Sequence, residues 1–494
     1  MIRNLFKNRV YLFLIILIGL GVFLRFYNLP NLYIFGFDEE YQATYAMTLV
    51  KDFHPIWIGV SASFLDYYLG PYFTYFTAFW LWISSGDPLI TAYVAGITGV
   101  ITGVAVFFVG WKSFNLTTGV ISSLLYMGLP LIVFYDQKYW NPMFVQLIVL
   151  AMFSSLLLIR KSAWWWLLFT AAVGAIFETD LAPFPLVVIG IWLFIKGKYF
   201  LNKKLVLSCI GVFLLFYWPL LVFDFNHNWS NLTVLGRYNR QVKASGARFD
   251  PMSKTSSVLD TMGRFWYLEP GKSNAQELNI FCNSQRTYPS VWLISLSVVL
   301  LAYFLYTGFR SKKRELYMLS YFILVSLIFY IVYTGGSFEY YLHGFITLFT
   351  FVPAILISRA KGKSKLLLFL LIGMLLMLGL KTVISSSDKF SLGPKKALIG
   401  EVMDEVKNES FTLDKTGSCH IYDGWRYLFK VYSRMPAKSF TDLNFAWLYP
   451  EEVNNEPATF NVIVSEYGAK AEQDLTGYEK IDEGGFSAYV KKIR

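Results

Sequence analysis

Three acidic residues in a row, Asp38-Glu39-Glu40, follow closely on the first long apolar run of the chain. Carboxylates at the edge of a bilayer cost free energy unless they are solvated, paired or used, which makes this triplet a functional candidate. A carboxylate rigidly held at such a place is suited to act as a general base, and Asp38 and Glu39 are the candidates. The plain alternative makes Asp38 a helix N-cap and lets Glu39 and Glu40 meet the helix dipole. The two readings are compatible, because a capping aspartate is rigidly held.

Other residues of the right types are scattered along the chain. Tyr135-Asp136-Gln137-Lys138-Tyr139-Trp140-Asn141-Pro142 is either a polar turn with an aromatic belt or a second cluster, with Asp136 or Lys138 facing the same cavity as Asp38. Glu178-Thr179-Asp180 lies between two apolar runs with no basic residue close by, as a solvated tight turn or a third acidic site. Arg237 and Arg240, at helical spacing, would share a face suited to bidentate phosphate contacts, with Tyr238 beside them; the alternative is a basic face near anionic headgroups. His343, in the stretch Phe338 to Phe345, is a candidate donor to a phosphate, helped by Glu339, or else an interfacial packing residue.

The elements that must position these residues follow from composition. The chain has 494 residues, 55% hydrophobic, 19% aromatic and 16% charged, a balance that belongs to membrane proteins rather than soluble domains. The formal charge of +11 does not point to nucleic acid, because the basic residues sit in short clusters between apolar runs. Three cysteines are too few for a disulfide framework: Cys209 lies in an apolar run, and a Cys282–Cys419 bridge is left open. The start reads as an uncleaved first helix, since no small-residue cleavage site follows its apolar stretch.

Runs long enough to cross a bilayer occur at about 10–27, 88–111, 116–135, 142–160, 163–178, 182–195, 204–223, 290–309, 316–334, 343–358 and 365–384, which predicts about eleven crossings. The aromatic stretch 67–84 decides the orientation. If it does not cross and the N-terminus is cytoplasmic, Lys112, Arg160-Lys161, Lys196 to Lys204, Arg310 to Arg314 and Arg359 to Lys365 all fall inside. The positive-inside rule favours that arrangement. The stretch 67–84 is therefore expected to be re-entrant or surface-lying, broken near Gly70-Pro71. Glu39 to Val50 is expected to form a juxtamembrane helix with Ala43, Ala46, Met47 and Val50 on one face.

These expectations give an α-helical polytopic membrane domain over 1–384, with outer loops 28–87 and 225–289. An extracytoplasmic α/β domain follows over 385–494, with a helix at 395–408 and strands at Phe460 to Val464 and Phe486 to Val490.

The order of parts resembles the GT-C glycosyltransferases, and within them the branch that holds the protein O-mannosyltransferases and the lipid A aminoarabinose transferase. In that branch an Asp-Glu pair opens the first outer loop, as Phe35-Gly36-Phe37-Asp38-Glu39-Glu40-Tyr41 does here. Where the family often has a His-x-Pro-Pro element, this chain reads Leu65-Asp66-Tyr67-Tyr68-Leu69-Gly70-Pro71, and Asp66 is the residue that would stand in for part of it. The family also places a functional residue near Asp136, a loop that closes over the lipid carrier near Arg237, and an aromatic-rich helix start near His343. The resemblance implies inverting transfer of a sugar from a polyprenyl-phosphate carrier to a glycan, lipid or protein acceptor on the outer face of the cell membrane. Asp38 as the carboxylate base, Glu39 orienting the acceptor or the partners of Asp38, and cationic phosphate contacts would carry it.

No nucleotide-binding pattern is visible, which fits a lipid-linked donor. Only four histidines are present, none at a ligand spacing, so a divalent metal has weak support. The rival readings are a flippase or transporter for a lipid-linked glycan, and a non-catalytic envelope assembly protein.

Overall fold

A computed structural model describes residues 2–61, 67–234, 236, 237, 240, 250–269, 288–336, 338–417, 419, 423–454, 457–466, 469 and 473–494. The chain opens with ten helices: α1 (Ile2–Phe26), α2 (Phe37–Lys51), α3 (Tyr72–Ile83), α4 (Leu89–Ser113), α5 (Leu116–Gly128), α6 (Pro130–Asp136), α7 (Val145–Leu158), α8 (Trp166–Thr179), α9 (Val187–Lys196) and α10 (Lys203–Asn226). Further helices follow at Pro251–Arg264, Val291–Phe309, Arg314–Val332, His343–Phe349, Phe351–Arg359 and Gly362–Ser385.

Seven helices among the described residues are long and apolar enough to cross a membrane, or eight if the pair α5–α6, bent by 65°, counts as one span. The other three runs expected to cross form shorter apolar helices, Val10–Phe26, Ala163–Thr179 and Phe184–Lys196. Leu207 and Leu215 on α10, Val299 on Val291–Phe309 and Met377 on Gly362–Ser385 are each about two-thirds exposed (68, 66, 64 and 66%). Rows of such side chains on helices whose own backbone is satisfied are what a hydrocarbon solvent requires. The chain is an integral membrane protein.

The stretch 67–84 differs in detail from the expectation. Pro71 does not break a helix but precedes one as the N-cap of α3, where its missing N–H goes unused. At 12 residues and about 1.5 Å per residue, α3 reaches about 18 Å, short of a hydrocarbon core of about 30 Å. The chain enters it through a short ladder in which Gly59 N–H donates to Leu69 O at 2.7 Å and Leu69 N–H to Val60 O at 3.0 Å.

The tail forms a five-stranded sheet of order β2-β1-β3-β5-β4, with β1 (Phe411–Thr416), β2 (Lys438–Ser439), β3 (Phe460–Glu466), β4 (Glu479–Glu483) and β5 (Phe486–Lys492). β1 runs parallel to β2 and β3, while β3–β5 and β4–β5 are antiparallel. The expected strands are there, and the expected helix spans Leu392–Val406. The tail shares one apolar core with the segment that follows α1. Leu29, Phe35, Ala43, Ala46 and Leu49 pack with Leu398, Val402, Tyr427, Leu428, Val462 and Val490. Cys419 is disulfide-bonded and Cys209 is free; Cys282 lies outside the described residues.

Candidate active site

α2 begins two residues earlier than an Asp38 cap would require. Gly36 is the N-cap, in extended conformation, and its N–H donates to Glu39 Oε2 at 3.0 Å. Glu39 thus fills the N3 position that reaches back to the cap, and Asp38 is left at the second helical position with an exposed side chain. The first turn holds Glu39 and Glu40, as the dipole reading expects, and Asp38 joins them there instead of capping. Glu40 turns the other way: it is 1% exposed and accepts from Tyr427 N–H at 2.8 Å. The buried face of α2 carries Gln42, Ala43, Ala46 and Leu49, and Gln42 Nε2 donates to Thr74 Oγ1 (3.3 Å) and Thr77 Oγ1 (3.1 Å) of α3.

Beside Glu39 stands Lys138. Burial pushes the Glu39 carboxyl above its usual range, the Lys138 ammonium is the strongest opposing influence, and the Asp38 charge reinforces the rise. The Lys138 ammonium in turn lies 4.3 Å from the Trp140 ring centre. Trp140 contacts Tyr340 (4.8 Å) and His343 (5.8 Å), and Tyr135 meets His343 edge-on at 4.1 Å. Tyr135 OH donates to Glu339 Oε2 at 2.9 Å, and the same oxygen lies 3.2 Å from Arg264 Nη1. The structure therefore places Lys138 within electrostatic reach of the acidic turn and links it through Trp140 and His343 to Tyr135, Glu339 and Arg264.

The inner end of this series of contacts is unusual for its unmet hydrogen-bonding capacity. Arg264, Glu339 and His343 are 1%, 0% and 2% exposed. Yet the three Arg264 nitrogens, Glu339 Oε1 and both His343 nitrogens lack a hydrogen-bond partner. Buried polar groups are almost always satisfied, so water, a polar ligand or an ion would complete the shell of such a cluster. Arg264 was not among the residues expected from sequence. Its signal is a polar stripe at helical spacing, Lys254, Ser257, Thr261 and Arg264, which reads as a solvated face and is instead wholly buried. Ser257 Oγ and Tyr330 OH lie 2.9 Å apart, and Lys254 Nζ donates to Gly335 O and Gly336 O, both at 2.6 Å.

Asp136 corrects the expectation that it faces the cavity of Asp38. Its Oδ2 takes Nη2 (2.6 Å) and Nε (3.0 Å) of Arg25, and its Oδ1 takes Tyr126 OH at 3.1 Å. The reason lies in Pro130, which starts α6 and has no N–H for the Tyr126 carbonyl. Arg25 supplies the missing donors, to Tyr126 O (3.3 Å) and Met127 O (3.1 Å), and Asp136 neutralises it. The carboxylate is occupied in holding the bend.

Glu178 is buried rather than a solvated turn residue, and its Oε2 accepts the first free N–H of α3, from Tyr72, at 2.9 Å. It lines a cavity of about 420 Å³ walled by Phe73 and Phe76 of α3, Ile148 and Ala151 of α7, Ala172 of α8 and Phe216 of α10. Asp180 Oδ1 accepts from Ala182 N–H at 2.6 Å, and burial raises its carboxyl to about 6. Arg237 Nη2 donates to Ser230 O at 2.8 Å and Arg240 Nε to Gly236 O at 3.3 Å, so both reach main-chain carbonyls of their own turn. Asp66 and Tyr238 lie outside the described residues. Among the described residues no group of three or more His, Cys, Asp or Glu side chains is placed to hold a metal ion.

No protein-family model and no curated protein matches the sequence. Solved structures do. ArnT from Cupriavidus metallidurans in the apo state is similar at 12% identity with a TM-score of 0.59, and the same protein bound to undecaprenyl phosphate at 11% with 0.55, each over 98% of both chains. The Archaeoglobus fulgidus oligosaccharyltransferase in the apo form is similar at 15% identity and a TM-score of 0.50, over 92% of this chain and 69% of that one. Identities this low speak to architecture, and the architecture they show is the GT-C fold, an α-helical membrane domain followed by a small sheet domain.

Proposed function

We propose that this chain is a membrane glycosyltransferase that moves a sugar from a polyprenyl-phosphate carrier to an acceptor at the outer face of the membrane, with inversion. In this reading the acceptor hydroxyl oxygen attacks the anomeric carbon while the bond from that carbon to the phosphate oxygen breaks. The hydroxyl proton passes to Asp38, and the electron pair leaves with the polyprenyl phosphate. A positioned base of this kind is worth about 10²–10⁴-fold. Lys138, His343 and Arg264 meet the phosphate, where charge grows as the bond breaks. Glu39, held by Gly36 N–H, keeps the turn rigid. The cavity between α3, α7, α8 and α10 admits part of the carrier chain.

The observation that carries this reading is the continuity from exposed Asp38 and capped Glu39 through Lys138 to His343 and Arg264, whose hydrogen-bonding capacity is unmet. The binding of undecaprenyl phosphate by ArnT, a protein of the same fold, supports it. The flippase alternative has less to stand on, because the buried polar groups with spare hydrogen-bonding capacity gather in one cluster, Arg264, Glu339 and His343. The decisive experiment incubates the purified protein in nanodiscs with a mixed pool of undecaprenyl-phosphate sugars and measures released undecaprenyl phosphate by mass spectrometry. Asp38→Asn is expected to lower release by at least about a hundredfold. Release at the normal rate from that variant would remove Asp38 as the base.

A further inference from the structure

The tail grips the first outer loop on both sides of Asp38. Asp388 N–H donates to Asn31 O at 2.7 Å, Leu392 N–H to Tyr33 O at 2.8 Å, and Lys395 Nζ to Phe35 O at 2.7 Å. Three alternate carbonyls of the incoming strand-like segment are thus taken by one helix and its approach. Beyond Asp38, Tyr427 N–H takes Glu40 Oε1 at 2.8 Å. The same helix, Trp425–Tyr432, also holds the turn between α3 and α4: Tyr427 OH donates to Gly86 O and Tyr432 OH to Asp87 Oδ1, both at 2.8 Å. The two contacts that flank Asp38, at Phe35 and Glu40, therefore come from the tail.

The fit is close. Gly424 holds a φ of 101°, and a Cβ there would meet the Phe35 ring at 2.7 Å and Phe35 O at 2.9 Å. Lys395 is fully buried. Desolvating an ammonium costs several kcal/mol, so it is a poor choice for cohesion alone. What it supplies is a directed donor at the foot of the acidic turn. The charged groups that face it are Asp423, Glu40, Glu39 and Glu466, and those facing Glu40 are Asp423, Lys395 and Arg426.

We propose that Lys395 and Tyr427 are positioning residues for Asp38, so that the C-terminal domain sets the height and direction of the base rather than serving as a detached binding module. This rests on the reading of Asp38 as the base.

The test uses the full chain in nanodiscs, with Lys395→Met and, in case that variant unfolds the tail, Gly424→Ala, which disturbs the contact at Phe35 and keeps the charge. Hydrogen exchange of residues 33–42 is expected to quicken at least about tenfold while β3 stays protected. With the pool of undecaprenyl-phosphate sugars, release at saturation is expected to fall by about tenfold or more, the half-saturating concentration staying within about twofold. Unchanged exchange at 33–42, an equal rise in β3 in both variants, or a loss confined to half-saturation would overturn the proposal. Absence of release from the unmodified protein would count against the glycosyltransferase reading instead, and the exchange data would still decide whether the tail holds the turn.

Discussion

Arg25 Nη2 lies 2.6 Å from Asp136 Oδ2, and both side chains are buried. The pair closes a gap that Pro130 opens in the backbone of the bent span α5–α6, and ties α1 to it. Removing one partner strands the other charge. Asp136→Asn or Arg25→Met is expected to cost about 3–5 kcal/mol and to lower the melting temperature in detergent. Because the role is structural, Arg25→Lys, which keeps the charge and loses the fork, is expected to fall between the wild type and Arg25→Met.

Arg264 and Glu339 allow a cleaner measurement of ligand binding. Replacing Arg264 alone leaves a buried carboxylate, so the informative variant is Arg264→Met with Glu339→Leu, which removes both charges together. The fold is expected to survive. Stabilisation of the protein by added undecaprenyl phosphate, read as a shift in melting temperature, is expected to need about tenfold or more additional lipid. An unchanged titration would take the phosphate away from this site.

Glu40 should give the acidic turn and the tail packed on it a dependence on pH. Burial raises its carboxyl from 4.5 to about 7, so the fold favours the protonated form. That contribution is fully present below about 4.5, the ordinary range, and is lost as pH rises through about 7. Glu40→Gln removes the loss and keeps an acceptor for Tyr427 N–H. The variant is expected to gain melting temperature relative to wild type at pH 8 and to gain less at pH 5, with a difference on the order of 2–3 kcal/mol.

Gly70 and Glu178 form a steric pair. A Cβ on Gly70 would collide with the Glu178 carboxylate, which occupies the space at the start of α3. Gly70→Ala is expected to cost about 1–3 kcal/mol, and Glu178→Ala in the same chain to recover part of it. Additive effects in that double-mutant cycle would show that the two positions do not couple.

The spans, the acidic turn and two strands were legible in the sequence because their signals are local: apolar length, a carboxylate cluster and alternation over a few residues. The α2 cap was not, since a glycine cap carries no side-chain signature and Asp38 beside it offered a better-looking one. Asp136 was misread for a different reason. Its partner is 111 residues away, and nothing local separates a solvated carboxylate from one that neutralises a distant arginine. Arg264 was missed because a polar stripe on an amphipathic helix ordinarily faces water, and only the packing against Tyr330 and Glu339 reverses that.

Lys395 and the carbonyl it holds at Phe35 are 360 residues apart. At about 5–20 residues per second of synthesis, the acidic turn waits on the order of tens of seconds after it leaves the ribosome before its anchors exist. During that interval the later spans are made, and at its end all of them are in place while the turn is still unsupported. A ribosome that stalls, or a protease that trims the last hundred or so residues, would leave an inserted protein whose acidic turn lacks these anchors. Completion of the chain is thus the event that fixes the turn.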